Sequence, residues 1–169
     1  HSTLVIDDTN STAILADRSL GRGVTEVLVD RGEDNDSARL EASHDGYVKG
    51  FGLVHQRRLS LGNDGKEIRG EDILLAKGRR KIREAAPFAI RFHLAPGIEP
   101  TVTADGMGAI LRSPGAPAWN FRCRGAMIMI EDSIVIDSHG ATVPTLQLVV
   151  VGEVSGVGGE IAWQFRRSS

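Results

Sequence analysis

Val, Ile, Leu and Thr recur along this chain in short runs, and several alternate with polar residues at a period of two. That spacing sets one face of a β-strand on a core and the other in water. The clearest runs are "TLVID", "TEVLVDR", "ARLEASH", "YVKGFGLVHQRRLSL", "KEIRGEDILLA", "FAIRFHLA", "GAILRS", "AWNFRCRG", "AMIMIEDSIVI", "LQLVVVGEV" and "EIAWQFRRS". Each is read as a strand. Clusters of Gly, Asp, Asn and Pro separate them. The pattern shows no amphipathic helix, no internal repeat and no linker between domains, and the one long polar interruption, "KGRRKIRE", reads as an exposed loop.

Asn63, Asp64 and Gly65 lie between the two long central runs and tolerate the positive φ of a hairpin turn, which makes those runs antiparallel neighbours. Asp105-Gly106, Ser113-Pro114-Gly115 and Ser138-His139-Gly140 punctuate the later runs in the same way. Hairpins in series without helical crossovers predict an all-β fold, a large antiparallel two-sheet β-sandwich with no substantial helix.

At 169 residues the chain suits a single domain over residues 1–169. High Gly and few aromatics agree with a fold rich in turns. A net charge of −2 gives no global signature of a nucleic-acid partner, so any polyanion binding is local. No apolar run is long enough for membrane insertion. Cys123 is the only cysteine, which excludes an internal disulfide; its alternating surroundings predict a buried, inert thiol.

Five histidines are present, and no two have the spacing of a local zinc motif. His55 and His93 fall inside strands and read as hydrogen-bonded structural residues, while His139 falls in a turn. In "SHDGY", His44, Asp45 and Tyr47 crowd into the approach to a strand. Two readings stand: groups that donate, accept and stack suit a sugar, and a polar turn with one tyrosine at an interface suits the pattern equally. Arg79, Arg80, Lys81 and Arg83 form the dense basic cluster, with Arg57 and Arg58 adding charge on a neighbouring strand. Guanidinium groups pair with carboxylates and sulfates, which points to an acidic polysaccharide or oligosaccharide; a solvated loop is the plainer alternative. No nucleophile elbow or phosphate loop is present, and no residue is assigned a catalytic role.

The opening "HSTLVIDDTNST", the segment "SHDGYVKGFGLVHQRRLSL" with "DGKEIRGEDILL", and the closing "IAWQFRR" resemble the C-terminal region of bacterial heparinase II/III-like proteins over nearly the whole chain. The resemblance implies a supersandwich-like β domain preceded, in the longer protein, by an N-terminal helical toroid. His1 then stands inside a longer chain instead of an initiator Met, unless it belongs to a tag. The activity implied is β-elimination on uronate-containing polysaccharides, for which the uronate carboxylate is neutralised, a base takes the C5 proton and an acid protonates the leaving oxygen. Most of that machinery belongs upstream, so this part alone is expected to be inactive. His1 matches a family histidine that helps to hold zinc or another divalent metal in the full-length protein; alone it holds none tightly. His44 and Tyr47 match a recurrent feature of the family, and with Arg79, Arg80 and Arg83 they are the expected substrate contacts. The resemblance also implies a periplasmic or cell-envelope location. The alternatives are a noncatalytic carbohydrate-binding or structural sandwich, and a free-standing sandwich used in protein association.

Overall fold

In a computed structural model of the chain, which describes residues 2–77 and 85–168, the runs of alternating residues become strands of two antiparallel sheets. In chain order these are β1 (Leu4–Ile6), β2 (Val27–Glu33), β3 (Ser37–His44), β4 (Leu53–Gly62), β5 (Glu67–Ala76), β6 (Ala86–His93), β7 (Glu99–Val102), β8 (Gly108–Arg112), β9 (Trp119–Arg124), β10 (Met127–Ile136), β11 (Thr142–Val154) and β12 (Gly158–Arg167). The larger sheet has the order β2-β3-β4-β5-β12-β9-β8-β7, and the smaller β1-β6-β11-β10. This is the expected β-sandwich.

Between the sheets lies the core that the period of two encodes. In β6, Ala86, Phe88, Ile90 and Phe92 are buried, while Pro87 and His93 are exposed. In β9, Phe121 and Cys123 are buried and alternate with exposed Asn120, Arg122 and Arg124, and the Cys123 thiol donates to the Ala126 carbonyl at 3.2 Å. Phe92 on the small sheet meets Trp163 on the large one with ring centroids 4.8 Å apart, and Phe121 meets Phe165 at 4.6 Å. Tilted and edge-on aromatic pairs of this kind add about 0.5–1.5 kcal/mol each beyond the area they bury.

The β4–β5 hairpin turns where the sequence places it. Gly65 has φ +65°, a left-handed value that a residue without Cβ adopts freely. The start of the long central run differs from the expected strand. Val48–Phe51 form α1, a single helical turn, which ends where Gly52 takes φ 73° and its N–H donates to the Val48 carbonyl. Glycine at this position allows the left-handed cap, and the turn swings Tyr47 inward, where it is 1% exposed.

Candidate functional site

Among the described residues the interior of this sandwich holds one buried carboxylate. Asp72 sits at the middle of β5 on the core-facing side, fully buried between Gly70 and Leu74. An uncompensated carboxylate there would be strongly destabilising, so its partners define the site. Arg57 on β4 is its direct cross-strand neighbour; Nε and Nη2 donate to the two carboxylate oxygens at 2.8 and 2.9 Å. Trp163 on β12 donates from Nε1 at 2.8 Å, and His55 on β4 approaches with Nε2 at 2.7 Å. Burial pushes the Asp72 carboxyl up, but the hydrogen bonds from His55 and Arg57 outweigh it and hold the group below the usual aspartate value.

The network continues to the turn singled out in the sequence. His55 Nδ1 lies 3.1 Å from Nε2 of His44, and His44 Nδ1 accepts the Gly46 N–H at 3.2 Å. Gly46 can only donate, which places the His44 proton on Nε2. His44 then donates to His55, and His55 donates to Asp72. Both rings are neutral in this arrangement. Burial, reinforced by the neighbouring His55, keeps the His44 imidazole below the ordinary histidine value, against the opposite pull of Asp45.

Two further bonds fasten the first strand to this network. Arg57 Nη1 donates to the Ser2 carbonyl at 2.6 Å, and the Tyr47 hydroxyl donates to the Leu4 carbonyl at 2.9 Å. Burial raises the Tyr47 hydroxyl to about 12. Asp45 accepts the Thr25 and Glu26 N–H groups at 2.8 and 3.1 Å and also the Thr25 hydroxyl; that hydroxyl and these amides bring its carboxyl down to about 2.

The structure therefore brings His44 and Tyr47 together, with ring centroids 5.5 Å apart. It also engages both His44 nitrogens and the Tyr47 hydroxyl inside the protein, and a sugar would displace those bonds to reach them. His55 has the hydrogen-bonded role expected of it. Arg57 and Arg58 do not jointly extend a basic surface. Alternation sends Arg57 to Asp72 and Arg58 to the other face, where it meets Glu41 at 2.7 Å and Glu71 at 3.7 Å. There a shallow groove of about 520 Å³ runs across β2–β5, lined by Arg39, Glu41, Arg58, Arg69 and Glu71. Arg79, Arg80, Lys81 and Arg83, and also His1, lie outside the described residues.

Sequence reasoning missed Asp72 and Trp163. A signal existed in the hairpin itself, since counting outward from the Asn63–Gly65 turn sets Arg57 opposite Asp72 on a face otherwise lined by Leu53, Leu59 and Leu74.

The divalent metal implied by the resemblance is expected at His1, which lies outside the described residues, and the His44–His55–Asp72 network leaves no lone pair for another. Each imidazole lone pair already accepts a hydrogen bond, and Asp72 accepts from three side chains. Among the described residues no group of three His, Cys, Asp or Glu side chains converges on a point where an ion would sit. No described helix is long and apolar enough to cross a membrane.

Fold and network together define an antiparallel β-sandwich whose first strand is bolted to a buried polar core. The chain belongs to the heparinase II/III-like family as its C-terminal domain, the family match covering residues 1–164. It is 32% identical, over 96% of its length, to the FtsZ-localized protein C of Caulobacter vibrioides, of which it spans 32%. Its fold is similar to that of the heparan sulfate lyase HepC from Pedobacter heparinus, with TM-score 0.78 and 13% identity over 100% of this chain and 24% of the lyase. A heparinase III aligns with TM-score 0.75 and 10% identity over 99% of this chain and 24% of its own. The chain thus spans about a third of its curated relative and about a quarter of these solved enzymes.

Proposed function

We propose that the chain is the sandwich part of a polysaccharide lyase that cleaves a uronate-containing polymer by β-elimination, and that it acts only together with the helical domain preceding it in the longer protein. The observation that carries this reading is the family match over residues 1–164, supported by the likeness in fold, along this chain, to about a quarter of a heparan sulfate lyase and of a heparinase III. The buried network supports a division of labour. Its imidazoles and carboxylate are committed to one another, so the sandwich supplies a rigid wall, and the acid and base come from elsewhere. In this reading the basic segment with Arg79, Arg80 and Arg83 attracts the acidic chain, the turn from His44 to Tyr47 borders the cleft, and His1 contributes to a divalent metal site with ligands outside this chain. The protein works in the periplasm or cell envelope.

The test is a β-elimination assay on the longer protein with uronate polymers. Each cut leaves an unsaturated uronate that absorbs in the ultraviolet, and this chain alone should give no signal. Retention on the polymer without any rise in absorbance would remove the lyase and leave a noncatalytic binder.

A second reading has its own support, since the 32% identical relative is named for its localisation with FtsZ. In that reading the sandwich is a noncatalytic module of a division-site protein. Fluorescent tagging of the longer protein separates the two: a midcell band that tracks FtsZ, with no lyase activity, favours the second.

A further inference from the structure

Strand β2 forms one outer edge of the eight-stranded sheet. All seven of its residues are exposed, and Val27, Leu28 and Val29 stand 61, 62 and 64% open. Long open edges with apolar residues on both faces are templates for pairing with another strand. The outward-pointing backbone groups follow from the ladder to β3. The Asp34 N–H donates to Ser37 and the Asp45 N–H donates to Glu26, and the register between them is unbroken. Leu28, Asp30 and Gly32 therefore bond to β3, whereas Val27, Val29, Arg31 and Glu33 turn their N–H and C=O groups to the open side.

The other sheet edges are less available. β1 has three residues, and β7 has four and includes Pro100. The start of β10 is covered, because the Ile128 N–H donates to the Gly106 carbonyl at 2.9 Å; Glu131 and Asp132 then place two adjacent like charges at its middle, where β2 has the opposite charges of Asp30 and Arg31.

We propose that β2 joins two copies of this chain, its strands pairing antiparallel about a two-fold axis through Val29 so that the two eight-stranded sheets become one. The inference is independent of the lyase reading. Such an axis runs perpendicular to the sheet, so each copy keeps its faces and some residue must meet its own twin. Length and charge select which one. Val27 is the first residue of β2, so centring there would pair the strand with the segment before it and not with its twin, and centring on Gly32 sets Asp30 against Asp34. Centring on Asp30 or Arg31 sets like charges face to face, and centring on Leu28 sets Glu26 against Asp30. Centring on Val29 places Val29 against Val29, Leu28 against Asp30, Val27 against Arg31, and Glu26 against Gly32. No like charges are directly opposed, and the open N–H and C=O groups of Val29 bond to those of its twin. An edge of this length buries less than a standard interface, so the dimer is a concentration-dependent one.

Cross-linking reads the register. Hydrogen-bonded twins have Cα atoms about 5.5 Å apart, inside the range a disulfide spans, whereas residues offset diagonally lie about 7–8 Å apart. Under mild oxidation Val29→Cys should give a disulfide-linked dimer and Asp30→Cys should not; buried Cys123 does not compete. Analytical ultracentrifugation of the unmodified chain should show its mass rising toward double with concentration. Val29→Lys, which sets two ammonium groups at the axis, should remain at monomer mass with an unchanged circular dichroism spectrum. The proposal is overturned if Val29→Cys links no faster than Asp30→Cys, or if the unmodified chain stays monomeric at every concentration.

Discussion

Arg57 and Asp72 face each other across the β4–β5 ladder and are joined by two parallel hydrogen bonds of 2.8 and 2.9 Å, one to each carboxylate oxygen. The pair is the hub on which His55, Trp163 and the backbone of Ser2 converge. A buried pair is poor evidence of net stabilisation compared with an apolar core, but removing one member leaves the other without its counter-charge. Asp72→Ala should therefore lower stability by about 3–5 kcal/mol, seen as a fall in the urea midpoint with little change in slope. Asp72→Asn keeps the shape and should lose less. Equal stability of Asp72→Ala and the unmodified chain would mean that the network is not held as described.

The same network makes stability depend on pH through two groups of opposite charge type. His44 is held below its ordinary value of about 6.5. As pH falls through that value the unfolded chain takes up a proton that the folded chain refuses, so stability declines until the lower folded value is reached. Asp72 is also lowered, which for an acid is stabilising above its ordinary value near 3.8. That contribution is lost as pH falls through the folded value. Urea midpoints should thus decrease from pH 7.5 to 5.5 and drop again in strong acid. His44→Phe should flatten the first decline without removing it, because burial also lowers His93.

Much of the fold was legible in the sequence, because a period of two is a direct image of a half-buried strand. Ala86, Phe88, Ile90 and Phe92 alternate in the sequence and alternate in burial. The helical turn at Val48–Phe51 was not legible, because its cause is tertiary: Tyr47 must reach the Leu4 carbonyl, a partner distant in sequence. The site was less legible than the fold. His44 and Tyr47 were found as a polar cluster, but their hydrogen bonds could not be seen without Asp72. Asp72 itself is a single acidic letter in "GEDILL", and only the hairpin register shows that it points inward against Arg57.

Gly70 is a position where the network tolerates no side chain. It lies opposite Trp163 in the β5–β12 ladder, and a Cβ added there would overlap the indole ring. Trp163 cannot retreat without giving up its bond to Asp72. Overpacking of this kind costs about 1–3 kcal/mol, so Gly70→Ala should lower the thermal midpoint and shift the tryptophan emission toward longer wavelength as the indole loses its seat. An unchanged spectrum would show that the ring has room the structure does not give it.

Charge reversal at Arg79, Arg80 and Arg83 tests the polysaccharide part of the proposed function separately from catalysis. Attraction between charges across water is screened by salt, so the effect must fade as salt rises. Elution of the triple Glu variant from an immobilised acidic polysaccharide should come at lower salt than that of the unmodified protein, with identical unfolding curves. Equal retention would sink the basic segment as a contact.

Tyr47 ties α1 to the first strand through one hydrogen bond to the Leu4 carbonyl, and Arg57 ties the same segment through Ser2. If these bonds position the strand where the chain enters the sandwich, deleting one should loosen β1 before it loosens the core. Tyr47→Phe keeps the buried ring and removes only the donor, leaving the Leu4 carbonyl without that partner at a cost of about 1–3 kcal/mol. Hydrogen exchange should therefore accelerate first at the amides of β1 and of Arg91, whose N–H donates to the Thr3 carbonyl at 3.1 Å. The amides of β5 and β12 should change only by the global loss of stability. Uniform acceleration through both sheets would mean that the entry strand has no separate mobility, and that the hydroxyl stabilises the sandwich as a whole instead of holding its first strand.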